Sequence, residues 1–196
     1  MRGSWSITSD TPGPSTPTSP GSSRLTSDQR LRLTLESPPP TVPGVATTTP
    51  LSTVRCDNSL GIGRISKGCV FPSVTPVFLL SGAESPLSPV HAAFVSSAQT
   101  SLPGHPGRVD RVPLHRLSNT AQRDANRALS CAGFVPIDSA DSCDEYPFAA
   151  TYEGGAGAIV AHVPRTDNTN GGSKLSGFFQ KDRVLDGDAF FVQVVG

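Results

Sequence analysis

Two adjacent carboxylates, Asp144 and Glu145, stand at the head of a stretch whose residue types could do chemistry. Residues 147–152 follow, with the aromatic and β-branched side chains that favour a strand. Glu153-Gly154-Gly155-Ala156-Gly157 comes next, its glycines permitting the positive φ angles of a bulged hairpin loop. Residues 158–163 read as the return strand. Beyond Pro164, Asp167-Asn168-Thr169-Asn170-Gly171-Gly172 reads as a polar loop able to cap a helix. Leu175, Phe178 and Phe179 then supply the i, i+3, i+4 stripe of a short helix. This order puts the carboxylates at the entrance of a hairpin and Asn168 at the entrance of a helix. Packing that helix across the hairpin would bring Asp144, Glu145 and Asn168 together. Two carboxylates and an amide oxygen make a hard, oxygen-only donor set suited to Mg²⁺ or Mn²⁺, with one carboxylate left over as a general base. The same residues also fit a solvated turn followed by an ordinary helix cap, and spacing alone leaves both readings open.

The run Cys143-Asp144-Glu145-Tyr146-Pro147-Phe148-Ala149-Ala150-Thr151-Tyr152-Glu153-Gly154-Gly155, then Asp167-Asn168, Gly172-Ser173 and the ending Leu185-Asp186-Gly187-Asp188-Ala189-Phe190, resembles the NucA/NucB family of extracellular deoxyribonucleases. Several separated motifs fall in the family's order. The resemblance covers the chain from about Cys56 onward, weakly before His91. It implies an α+β fold with a small ββα-metal-like core of a β-hairpin and short helix, joined by two further helices and an added strand. It implies a largely sequence-non-specific DNA endonuclease, with Asp144, Glu145 and Asn168 as active-site groups and a divalent metal ion as cofactor. Related nucleases use a histidine as base beside an acidic ligand. Here Glu145 would replace that histidine and Asp144 would be the ligand, or the two roles would be exchanged. The resemblance also places a histidine, here His91, at the start of a helix, where it could orient a catalytic carboxylate. On residue pattern alone a lone histidine on an apolar face is more often a satisfied core residue, and with the resemblance the two readings stand about even. Family members often carry an arginine on the return strand where this chain has Ala161. A cation near the scissile phosphate would then come from His162, Arg165 or Lys181, or be absent.

The 196 residues, 36% hydrophobic and 16% charged with 19 prolines and 19 glycines, fit one domain plus an extension. A formal net charge of zero argues against a polybasic protein that coats nucleic acid by bulk electrostatics. It leaves room for a local cationic rim. Four cysteines without Cys-x-x-Cys spacing do not form a zinc site. They allow three pairings, of which Cys56 with Cys69 and Cys131 with Cys143 each close a short, turn-rich loop. Such bridges point to an oxidising compartment, hence secretion. Reduced, buried cysteines are the other reading. No apolar run near Met1 is long enough for a secretory signal and none approaches a membrane span.

Residues 1–53, rich in Ser, Thr and Pro, read as a disordered or extended linker ahead of a domain at 54–196, although Leu31-Arg32-Leu33-Thr34-Leu35 alternates like a strand. Gly61-Ile62-Gly63 lacks the surroundings of a dinucleotide-binding loop. Residues 77–80 read as an edge strand after Pro76. Ser88-Pro89 starts a helix that Pro103-Gly104 stops, with His91, Phe94, Val95, Ala98 and Leu102 on one face. A second helix begins at the capping box Asn119-x-x-Gln122, with Leu117, Ala121, Ala125, Ala128 and Leu129 as its apolar side. Its opposite face, with Arg123 and Arg127 four residues apart, either meets DNA phosphates or is solvated, and the solvated reading is favoured. The expected partner is DNA, met by a monomer with no membrane association. Two other readings stand beside the nuclease: a catalytically weak DNA- or surface-binding module, and a toxin or effector domain of a longer secreted chain, which would call for an inhibitor or immunity protein.

Overall fold

The computed structural model describes residues 4–9, 24–29, 31–36, 44–47, 52–59 and 67–196. The chain divides into two compact units, residues 1–74 and 75–196.

In the first unit lie β1 (Ser4–Ser9), β2 (Arg24–Gln29), β3 (Leu31–Glu36), β4 (Gly44–Thr47), β5 (Ser52–Asp57) and β6 (Gly68–Val70). They form two antiparallel sheets, ordered β1-β3-β4 and β2-β5-β6. The alternating Leu31–Leu35 run is β3. Cys56 and Cys69 face each other across the β5–β6 pair and are joined by a disulfide. The rest of the proline-rich segment expected to be disordered, and the Gly61-Ile62-Gly63 fragment, lie outside the described residues.

The second unit runs β7 (Val77–Ser81), α1 (Pro89–Ser101), β8 (Leu114–His115), α2 (Thr120–Ser130), β9 (Asp141–Tyr146), β10 (Ile159–Pro164), α3 (Arg165–Lys181) and β11 (Ala189–Val195). This is an α+β arrangement of a three-stranded sheet, β7-β11-β8, a two-stranded hairpin, β9-β10, and three helices. The expected edge strand is β7. The strand at the centre of its sheet, β11, was not anticipated; it runs parallel to β7 and antiparallel to β8. Phe190 and Val192 of β11 are buried with Phe78, Leu80, Val95 and Phe178, so the core forms where α1 and α3 cover this sheet.

Three local expectations shift. The hairpin's first strand is residues 141–146 rather than 147–152, so the carboxylates lie within it, with Ala161 opposite Asp144 and Val160 opposite Glu145. Proline at 147 has no N–H to give to a ladder and ends the strand. Phe148 to Gly155 instead make turns, closed by Thr151 N–H to Phe148 O and Gly154 N–H to Thr151 O.

The second shift concerns α3, which starts at Arg165 and absorbs the whole Asp167–Gly172 stretch expected to be loop, giving a helix of 17 residues. Gly171 is there for space, because a Cβ at that position would overlap the ring of His91. Asn168 is therefore a helical residue and not a cap. The Ser88 hydroxyl does not cap α1 either; it accepts from Lys174 Nζ at 3.1 Å. Asp167 of α3 serves that helix start, its Oδ2 accepting from Val90 N–H at 2.9 Å.

The third shift is the orientation of α2. Asn119 Oδ1 accepts from Gln122 N–H at 3.1 Å, as its capping position predicts. No residue of the helix is buried, however, and Leu129 is 60% exposed. The helix turns its polar face inward. Asn126 Nδ2 donates to Ala149 O and Thr151 O at 3.1 and 3.0 Å, and Ser130 Oγ donates to Gly155 O at 2.9 Å. The alanines of the other face offer little area to bury, whereas the tight 148–155 turns have carbonyls that need donors.

Candidate active site

Strand β9 carries the acidic pair. Neighbouring residues of a strand present alternate sides, and the two carboxylates accordingly meet different partners. Asp144, 3% exposed, faces α1, where His91 Nδ1 lies 2.5 Å from its Oδ2. Glu145, 5% exposed, faces α2, where Arg127 Nε lies 3.4 Å from its Oε1. Burial pushes the Glu145 carboxyl above the usual carboxylate range; Arg127 works against that shift, and Asp144 adds to it. The His91 ring is itself buried, held between Asp144, Gly171 of α3 and the Phe148 ring, whose centroid lies 6.1 Å away.

Asn168, one turn into α3, donates through Nδ2 to Cys143 O at 2.9 Å and Ser142 Oγ at 3.2 Å. With the nitrogen committed to β9, its amide oxygen is the end left to accept. One cleft is lined by His91, Asp144, Glu145 and Asn168 together with Arg116, Arg123 and Arg127. The sequence-predicted catalytic and metal-binding residues thus converge. The Asp144 and Glu145 carboxylates and the Asn168 amide oxygen are donors of the kind that suits a hard divalent cation.

The bridge between Cys131 and Cys143, with Cα atoms 6.1 Å apart, ties the end of α2 to β9. Cys131 Sγ is 3.9 Å from Glu145 Oε2. These two sulfurs and Glu145 are close enough together to resemble a metal-ligand set. Joined in a disulfide, however, neither sulfur is a thiolate ligand.

The cations proposed from sequence go elsewhere. On β10, His162 is half-exposed and its Nδ1 lies 2.6 Å from Asp141 Oδ2; that hydrogen bond is the main cause that holds the Asp141 carboxyl below its usual range. Arg165, at the start of α3, donates to Ser139 O and Asp141 O and borders a neighbouring groove with Asn168. Lys181 ends α3, 13 residues after Asn168 and so about 20 Å along the helix axis, and it does not line the cleft.

The cleft's cations are instead Arg116, beside β8, and Arg123 and Arg127 of α2. The last two lie on the face expected to be solvated. Their four-residue spacing, on the same face as Asn119 and Asn126, was the signal available. Glu153, near the hairpin connection, accepts from His115 N–H and lies 2.7 Å from its ring nitrogen, outside the cleft.

Among the described residues no helix is long and apolar enough to cross a membrane. No curated protein matches the chain. Residues 109–193, which carry Asp144, Glu145, Asn168 and all three cleft arginines, match the family Deoxyribonuclease NucA/NucB, and that stretch is similar to the family's members.

Proposed function

We propose that the cleft hydrolyses DNA phosphodiester bonds with a divalent metal ion, acting on the backbone without sequence selectivity, outside the cell. The observation that carries this reading is the convergence of two buried carboxylates and Asn168 with three arginines in one cleft, within a segment of deoxyribonuclease type. Asp144 and Asn168 would hold Mg²⁺ or Mn²⁺, His91 fixing the orientation of the Asp144 carboxylate. Such an ion supplies Lewis acidity at the scissile phosphate and charge neutralisation at the leaving oxygen.

Glu145 is the general base, because burial raises its proton affinity toward that of a useful acceptor. Its carboxylate takes a proton from the attacking water, the water oxygen bonds to phosphorus, and the bond to the 3′-oxygen breaks, that oxygen taking a proton from solvent to leave as a hydroxyl. Two disulfides fit an extracellular setting.

The test is plasmid cleavage by the purified chain with and without EDTA, run beside Asp144→Asn and Glu145→Gln. Each substitution keeps shape, removes charge and should cost at least about a hundredfold in rate. Near-full activity of both variants, with melts showing that they fold, would sink the hydrolytic assignment in favour of a binding module.

A further inference from the structure

We propose that Arg116, Arg123 and Arg127 form a single phosphate pocket that grips the DNA backbone beside the acidic pair. This rests on the reading of the cleft as a DNA-hydrolysing site. All three arginines line the same cleft as Asp144 and Glu145.

Arg116 is fixed in place. Its Nη1 donates to Val184 O and its guanidinium carbon lies 4.8 Å from the centroid of the Phe179 ring. Burial lowers its proton affinity, and the nearby Arg123 lowers it further, against the opposing pull of Asp186 and Asp188.

Arg123 gives the second observation. Its Nε is buried and has no hydrogen-bond partner, so no protein acceptor satisfies the guanidinium at that atom. Arg127 reaches the cleft from the next turn of α2, its side chain 56% exposed and its Nε beside Glu145. Planar guanidinium forks match phosphate oxygens better than point charges do.

The test is binding of a short fluorescent DNA duplex to the full chain in EDTA, by anisotropy over a range of salt. Arg123→Gln and Arg127→Gln should each weaken binding by about tenfold, the scale of a lost charge-assisted hydrogen bond, and reduce the slope of log affinity against log salt by about one. Arg111→Gln, an exposed arginine outside the cleft, should change neither. A slope effect separates phosphate contact from a folding defect, and melts of each variant accompany it. Wild-type affinity and slope in both α2 variants, or no duplex binding by the unmodified chain, would overturn the assignment. Cleavage plays no part in the measurement, so a chain that binds but does not cut would sink the hydrolytic reading and leave this result standing.

Discussion

His91 Nδ1 and Asp144 Oδ2 lie 2.5 Å apart although 53 residues separate them, and Gly171 is what lets the two meet. The ring occupies the space a side chain at 171 would take, so α1, β9 and α3 are locked to one another through a single imidazole.

Replacing His91 by Ala should lower the cleavage rate by about tenfold to a hundredfold, because Asp144 loses the partner that orients it. Gly171→Ala should do much the same by displacing the ring. The double variant should be scarcely worse than either single one, since both act through one contact. Additive losses in a double-mutant cycle would show that Gly171 matters for another reason.

Loss of Asn168 should act on the metal ion more than on the chemistry. With Asn168→Ala, calorimetric titration should show weaker Mg²⁺ and Mn²⁺ binding, and excess Mn²⁺ should partly restore the rate. Unchanged metal affinity would remove Asn168 from the ligand set.

Glu145 predicts a pH dependence of stability in the metal-free protein. Its folded value is raised above the unfolded one by burial, so the folded state binds more protons between the two values. Its contribution to stability is therefore complete below the ordinary carboxylate value of about 4.5 and is lost as pH rises through the folded value. In EDTA, the melting temperature of Glu145→Gln relative to the unmodified chain should climb as pH is raised above that range. A difference that stays flat with pH would mean that Glu145 is not penalised by burial.

Replacing Cys131 and Cys143 together by Ser should reduce both stability and rate. A bridge of this kind typically stabilises by about 2–4 kcal/mol, and this one anchors the residue directly before Asp144 to the helix that carries Arg127. Thermal melts and a cleavage assay on the pair variant check both effects. A rate that survives in folded protein would limit the bridge to a structural part.

Glu153→Gln should leave the rate within a few-fold of the unmodified chain while lowering the melting temperature, because Glu153 holds His115 rather than facing the cleft. A loss as large as that of Glu145→Gln, in the same assay, would bring Glu153 into the site.

What was legible in the sequence depended on whether the signal was local. The cap at Asn119, the start of α1 at Pro89, the edge strand β7 and both cysteine pairs each rest on residues close together in the chain, and each is present in the structure. The strand β9 was hidden because Asp141, Asp144 and Glu145 are burdens that a buried strand normally avoids. Their partners, His162, His91 and Arg127, come from three other elements. The same holds for the Asp167–Gly172 stretch, whose polar and glycine residues look like loop until Asp167 is seen against α1 and Gly171 against His91. The inward face of α2 escaped because a hydrophobicity pattern ranks alanine above arginine and asparagine, while the surface it docks on is made of backbone carbonyls and a carboxylate.

The position of β11 bears on when the protein can become active. Among the described residues β7 and β8, made early in the second unit, have no hydrogen-bonded partner in their sheet except β11, which follows them by more than seventy residues and fills the gap between them. Phe190 and Val192, which complete the core beneath α1 and α3, arrive with it. During synthesis from the N-terminus the hairpin and its carboxylates emerge before the sheet that supports α1, and with it His91, can close. A nascent chain therefore carries the acidic pair in an unsupported form until β11 is released, and the cleft cannot be complete before then.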